Sequence, residues 1–360
     1  MKKKLLHILY SGLGGHASVV FSYLGKEFLS EYDHELLFFG VENLKPEFVE
    51  ICNQRGIRYQ FVLKQGFLFP VKLVQSIVSS RADIVLCHSL PVVPVLHFLK
   101  SFGRQKYCLV EHASIELKRK QDFRWVQLAK KSASKLVYLS DIAKNEAIAH
   151  FGIKEEKTAV IQNGINTELY KAQESGKKNS ELLIVSHGRL VKVKNLSLLL
   201  DAISVLSKKG YQLGLKIAGE GNEQTSLESQ AKRLGIEEKL DFMGLMSDGE
   251  IVSLLSESDI YVNSSLIENM STALMQAMSA SLACVVSNIP GNLHMVEDEQ
   301  NGLIFKSEDL NSLVMQLEKL INDQSLIVKL GENARLYAKN HFSIEQVQRN
   351  YSNLASSLLD

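Results

Sequence analysis

The chain has 360 residues, more than one average domain holds and a comfortable length for two. Its content of 45% hydrophobic and 22% charged residues is that of an ordinary water-soluble globular protein. A net charge of +1 gives no global pull toward nucleic acid, and no apolar run approaches the roughly 18 residues that a membrane span needs.

The start "MKKKLLHILYSGLGG" sets a basic cluster before an apolar run, as a secretion signal would. The run 5–10 is short, is interrupted by His7 and leads into glycines, so it predicts a first β-strand instead. Further strands are predicted over 34–40, 58–63, 82–88, 107–112, 135–140 and 158–163. A second series covers 182–188, 213–219, 239–244, 259–264, 283–288 and 302–305, with helical patterns between most of them. Several are unbroken apolar runs, as strands covered on both faces are. Strand–helix–strand repetition implies the α/β class, as two doubly wound, Rossmann-like domains. The polar, lysine-rich stretch 170–181 reads as the linker between domains over 1–168 and 169–341. The last segment reads as two helices broken near His341–Phe342.

Cys52, Cys87, Cys108 and Cys284 are scattered with no C-x-x-C, which predicts reduced thiols in a cytosolic protein. The ten histidines form no H-x-x-x-H pair, and no D-x-D follows a strand, so the residues offer neither a zinc site nor a Mg²⁺–diphosphate site. The acidic cluster at Glu297–Glu299 reads as a solvated turn.

Doubly wound domains bind ligands at the carboxyl ends of their strands. Five loops lie there. In "SGLGGHAS", Gly12, Gly14 and Ala17 fit G-x-G-x-x-A at a strand-to-helix turn. That suits a phosphate or sugar on the helix N-terminus, an NAD(P) site, or a plain tight turn. The acid a dinucleotide site wants is present only as Glu42, which falls late. In "SHGRLVKVKN", Arg189 offers a planar fork and Lys194 a point charge, a pair suited to a diphosphate or to a solvated basic loop. In "IAGEGNEQ", Gly219 and Gly221 let a ligand ring approach the backbone, or simply turn the chain. In "SSLIENMSTALMQAMSAS", Glu268 ends a polar loop and Asn269, Met270 and Ser271 open a helix with their amide N–H groups. Gln276 lies two turns in. Glu268 reads equally as a sugar ligand or as a helix cap. His112 after "LVE", and His88 in "LCHSL", are lone histidines at strand ends, open to a functional or a structural reading.

Taken in this order, the loops resemble the retaining GT-B glycosyltransferases of family 4 over nearly the whole chain. The resemblance runs from the glycine loop through "VIQNGINTELY", "GRLVKVKN" and "IAGEGNEQTSLE". It continues through "DIYVNSSLIENMSTALMQAMSASLACVVSNIPG" to "EDEQNGLIF". It implies two domains facing across a cleft, a final helix (342–360) packing back on the first domain, and sugar transfer from a nucleotide-sugar without a metal. It implies further that Arg189 and Lys194 hold the donor diphosphate, that Glu268 binds sugar hydroxyls, and that the amides of Asn269, Met270 and Ser271 face the sugar and β-phosphate. Gly14 and Gly15 would close over the diphosphate, and His112 would sit near the transferred sugar. The sequence departs from the family where Glu-Gly-Phe-Gly is "ENMS", and where the second glutamate, which accepts from the ribose, is Gln276. Losing that charge softens one contact, by on the order of 1–2 kcal/mol, without removing the cations that stabilise the leaving group.

Region 100–135 carries Lys100, Arg104, Lys106, Lys118, Arg119, Lys120, Arg124, Lys130, Lys131 and Lys135, with Phe123, Trp125 and Val126 among them. This reads as a solvated helix face or as a peripheral contact with anionic lipid. On the lipid reading, the family points to a polyprenyl-diphosphate-linked saccharide acceptor in bacterial surface polysaccharide assembly, and to UDP as the donor nucleotide. Competing readings are a nucleotide-sugar epimerase of the same fold, a non-catalytic nucleotide-sugar-binding subunit, and a dehydrogenase using "GLGGHA".

Overall fold

The structure is a computed structural model that describes residues 2–13, 16–24, 31–40, 42–102, 106–171 and 182–359. Gly14, Gly15, Arg104 and all but the first two residues of the expected linker lie outside the described residues. The chain divides into unit 1, residues 1–164 with 344–360, and unit 2, residues 165–343.

Unit 1 holds β1 (Lys3–Leu9), β2 (Tyr32–Phe38), β3 (Arg58–Phe61), β4 (Ile84–Cys87), β5 (Lys106–Glu111), β6 (Lys135–Tyr138) and β7 (Thr158–Val160). They form one parallel sheet in the order β3-β2-β1-β4-β5-β6-β7. Unit 2 holds β8 (Leu182–His187), β9 (Leu213–Ala218), β10 (Leu240–Gly244), β11 (Ile260–Asn263), β12 (Ala283–Ser287) and β13 (Leu303–Phe305). These are ordered β10-β9-β8-β11-β12-β13, again parallel. Each strand overlaps a segment read as a strand from the sequence; the central ones are apolar runs because helices cover both faces, whereas the edge strands β3 and β10 keep exposed polar positions. β4, β11 and β12 are buried along their whole length.

Each sheet order reverses beside its first strand, between β1 and β4 and between β8 and β11. That is where a doubly wound sheet opens a crevice. In unit 1, alternate residues feed two cores. One face of the sheet packs Leu5, Leu9, Leu36, Leu86 and Val110 against helix His16–Tyr23 and the final helix Ile344–Leu359. Val347, Tyr351 and Leu358 of that helix are buried in this core, and Tyr351 stacks on Tyr23 with centroids 4.6 Å apart.

The boundary between the units falls at 164/165 because Ile165 is tied forward: its N–H donates to Phe342 O at 2.9 Å, inside unit 2. Tyr170, read as the first linker residue, is instead 4% exposed and packed in unit 2. Region 100–135 mixes buried and exposed side chains. Phe123 and Trp125 pack against the core that holds Val126, and Lys118 is buried in an ion pair with Glu111 at 3.0 Å. Phe123, Trp125 and Val126 follow the inward side of helix Lys120–Ser132, whereas Phe102 and Leu117, outside that helix, are exposed.

Candidate active site

The crevice of unit 2 is built by two loops stitched together. After β8 the chain turns at Gly188, makes a 3₁₀ turn over Lys192–Lys194, and enters helix Leu196–Lys208 through Asn195 in the left-handed region. After β11 it runs through Ser264 to Glu268. Leu266 N–H donates to Val193 O at 2.8 Å, and Ser264 Oγ donates to Lys194 O at 2.9 Å. These bonds lay Lys194 against Glu268, and its ammonium forms an ion pair with Glu268 Oε1. Ser265 Oγ donates to the same oxygen at 3.1 Å. The Glu268 backbone rests on the turn Pro290–Leu293, where a Cβ on Gly291 would lie 2.2 Å from Glu268 O.

Glu268 is not the helix cap. That place belongs to Ser271, whose Oγ accepts from Leu274 N–H at 3.4 Å at the start of helix Thr272–Ser279. Met270 and Ser271 are buried, and Asn269 is half-buried beside them. Arg189 is exposed and lines the same shallow cleft as Lys194, Tyr261 and Ser265. Gly219 and Gly221 have a structural duty first. A Cβ on Gly219 would lie 1.9 Å from Gly188 O, and one on Gly221 would lie 2.1 Å from Leu190 O. Glycine at both lets the turn after β9 seat under the Arg189 loop, where Leu190 N–H donates to Glu220 O at 2.9 Å.

Two residues went unnoticed in the sequence. His187, the last residue of β8, donates Nε2–H to Gln276 Oε1 at 2.8 Å, and Gln276 Nε2 donates to the Tyr170 hydroxyl at 2.7 Å. His187 is half-buried as a residue, and its Nδ1 is buried with no hydrogen-bond partner among the described residues. Burial pushes the imidazole pKa down to about 4, against a smaller upward pull from the Gln276 bond and with some help from the Lys194 charge. The ring is therefore neutral near pH 7. Gln276 thus has both ends of its amide engaged inside unit 2, and a ribose hydroxyl would have to use the second lone pair of Oε1.

His112 belongs to unit 1, directly after β5, with Nε2 3.0 Å from Nδ1 of His88. In the glycine loop of unit 1, Gly12 is needed for close packing, since a Cβ there would lie 2.8 Å from Asn43 O. Among the described residues no three His, Cys, Asp or Glu side chains form a group able to hold a metal ion.

Two Rossmann-like units of this topology, each with a crevice at its strand switch, are the architecture of the GT-B fold. Residues 170–337 match the family described as glycosyl transferases group 1, and residues 14–169 match glycosyltransferase family 4. An uncharacterised glycosyltransferase of Haemophilus influenzae is 30% identical over 246 residues, 67% of each chain. The UDP-Gal:alpha-D-GlcNAc-diphosphoundecaprenol alpha-1,3-galactosyltransferase of Escherichia coli is 26% identical over 300 residues, 76% of this chain and 75% of that one. The crystal structure of HepE from Anabaena with UDP and glucose superposes with a TM-score of 0.85 at 22% identity, covering 99% of this chain and 100% of that one. The lipopolysaccharide outer core galactosyltransferase WaaB gives 0.78 at 19% identity and 99% coverage of both. The chain belongs to the family 4 GT-B glycosyltransferases.

Proposed function

We propose that the protein transfers a sugar, with retention of anomeric configuration, from a UDP-sugar to a hydroxyl of a lipid-linked saccharide in bacterial surface polysaccharide assembly. The observation that carries this reading is the Lys194–Glu268 pair beside Arg189 and the capped helix start at Ser271. One arrangement offers two cations for a diphosphate, a carboxylate for sugar hydroxyls and a helix N-terminus for a phosphate. The acceptor class is supported by the relatives' names, one acting on a diphosphoundecaprenol-linked sugar and another in capsular polysaccharide biosynthesis.

In this reading Arg189 and Lys194 neutralise charge as the sugar–phosphate bond breaks, so the proposed reaction takes no metal. The acceptor hydroxyl attacks from the leaving group's own face and passes its proton to the departing phosphate oxygen. Lys194 is neutralised by Glu268 before the donor arrives. Donor binding then exchanges that pair for two others: Lys194 with the diphosphate, and Glu268 with sugar hydroxyls. We place the acceptor on unit 1 and the protein at the inner face of the cytoplasmic membrane. No described helix is long and apolar enough to cross a membrane.

A second reading, a non-catalytic nucleotide-sugar-binding subunit, draws on the engagement of Gln276 by His187 and Tyr170. Calorimetry with UDP, GDP, ADP and NAD, with Arg189→Ala as control, tests the donor site. Binding of one nucleoside diphosphate that the variant loses is expected, and binding of NAD alone would overturn the transferase reading. Release of UDP from a UDP-sugar in the presence of a lipid-linked acceptor separates catalysis from mere binding.

A further inference from the structure

Four imidazoles form a continuous line through unit 1. His34 Nδ1 lies 3.0 Å from His7 Nε2, His7 Nδ1 lies 3.5 Å from His88 Nε2, and His88 Nδ1 lies 3.0 Å from His112 Nε2. The strand register produces this line. Leu5 pairs with His34, His7 with Leu86, and Leu86 with Cys108. Each histidine therefore stands one strand over and two residues further along than the last, across β2, β1, β4 and β5. Steps of two keep the same side of a strand, so all four rings emerge on one face of the sheet. Glu35, Lys4 and Glu111 occupy the alternate positions and the opposite face. His7 is 0% exposed, His88 2% and His34 6%.

The stripe is covered by helix His16–Tyr23 and the final helix. The Tyr23 hydroxyl is 3.5 Å from His88 Nε2, and Tyr351 lies on Tyr23. Among the described residues, the titratable groups of the core on this face include Tyr23, Tyr351, Tyr32 (6.5 Å from His34, centroid to centroid), Cys52 and Cys108. Burial pushes the Tyr23 and Tyr351 hydroxyls up, and the Cys108 thiol up to about 12, so these three are uncharged near neutral pH. Burial, with the charge of His34 second, holds His7 well below the ordinary imidazole range.

A neutral imidazole carries a proton on one nitrogen and a lone pair on the other. Every link here runs from Nδ1 of one ring to Nε2 of the next, so the order of one ring dictates the order of its neighbours. We propose that the four rings are one proton-sharing unit in which His7, His34 and His88 act as positioning residues that set the tautomer and charge of His112. A proton added to His112 makes its Nε2–H donate to His88 Nδ1. His88 then carries its hydrogen on Nε2, facing His7 Nδ1 and the Tyr23 hydroxyl, each 3.5 Å away; donation to His7 leaves His7 donating through Nε2 to His34. A proton added to His34 imposes the opposite order, in which His112 Nε2 must accept. Charging both ends at once would set two hydrogens between His7 and His88. That clash is relieved only by turning the His88 Nε2–H to the Tyr23 hydroxyl, also 3.5 Å away, so the unit favours no more than one extra proton, at one end or the other. Its bearing on sugar transfer rests on the proposed function and on the place near the transferred sugar that the family resemblance implies for His112; the coupling itself does not.

The test is long-range ¹H–¹⁵N imidazole spectroscopy of the full-length protein from pH 5 to 8, which distinguishes Nδ1–H, Nε2–H and imidazolium forms. His7 is expected to stay neutral, and the charges on His34 and His112 together never to exceed one proton. In His7→Phe the two ends should titrate independently, with the His112 midpoint moved by about 0.5 pH units or more. His34→Phe, at the end of the line, should also move it, and it stands in should His7→Phe fail to fold. An unchanged His112 midpoint in the folded variants, or imidazolium at His34 and His112 together in the native protein, overturns the proposal. The pH profile of kcat in the same variants checks the other premise. A moved midpoint with an unmoved profile would remove His112 from the reaction and leave the proton-sharing unit intact.

Discussion

Gln276 Oε1 accepts the Nε2–H of His187 at 2.8 Å, and the two side chains come from residues 89 positions apart. The family's second carboxylate would stand where this amide stands. An amide leaves His187 neutral, whereas a carboxylate would draw a proton onto it. In Gln276→Glu the His187 pKa should rise from about 4 by about 1–3 pH units, read from its imidazole resonances. No change would mean that the new carboxylate points away from His187, toward the ribose position the family implies.

The same depressed pKa makes a stability prediction. The folded value, about 4, lies below the ordinary 6.5 of an unfolded chain. Between these values the unfolded chain binds more protons, so stability is fully present above pH 6.5 and is lost as pH falls toward 4. The loss is on the order of 2–3 kcal/mol. Urea midpoints of the native protein and His187→Phe should converge over that window. A constant difference would count against a neutral buried ring.

Glu268→Gln should separate binding from transfer. It frees Lys194 from its ion pair, so UDP should bind about as tightly as before or several-fold tighter. Transfer should fall by about 100-fold or more, because the sugar loses its charged acceptor. Weaker UDP binding would mean that Glu268 positions Lys194 for the diphosphate instead of competing with it.

Lys194→Ala and Arg189→Ala should each weaken UDP binding about 10- to 100-fold, as expected for one charge-assisted contact. Lys194→Ala also leaves Glu268 part-buried beside Ser265 without its cation, so it alone should lower the unfolding midpoint. Thermal unfolding of both variants checks the asymmetry.

The fold was readable because two-sided burial leaves continuous apolar runs, and "LLIVSH" or "ACVVS" can be little else in a chain of this composition. Arg189, Lys194 and Glu268 were readable as strand-end residues, and the structure brings the last two into contact. What stayed hidden depends on partners distant in sequence. Nothing local in "YKAQES" shows that Tyr170 meets Gln276, and its polar neighbours made it look like linker. His187 sits at the end of an ordinary strand. The histidine line exists only through the register of four strands, which no single-strand pattern displays. Nor does the sequence show why Gly219 and Gly221 must be glycine, which depends on how closely they pack on the backbone of the Arg189 loop.

The final helix shapes how the chain acquires its structure. Tyr351→Ala should cost unit 1 about 3–5 kcal/mol, seen as early melting of that unit, because the ring fills the core above Tyr23. Unit 2 is one uninterrupted stretch, residues 165–343, whereas unit 1 joins residues 1–164 to 344–360. During synthesis, therefore, the segment made first cannot finish its core until all of unit 2 has been translated, and the tyrosine lid over its histidines is among the last parts to arrive. The second unit can complete its folding while the first still waits with an open apolar face, which inverts the usual amino-terminal-first order and marks unit 1 as the part that would need protection from aggregation.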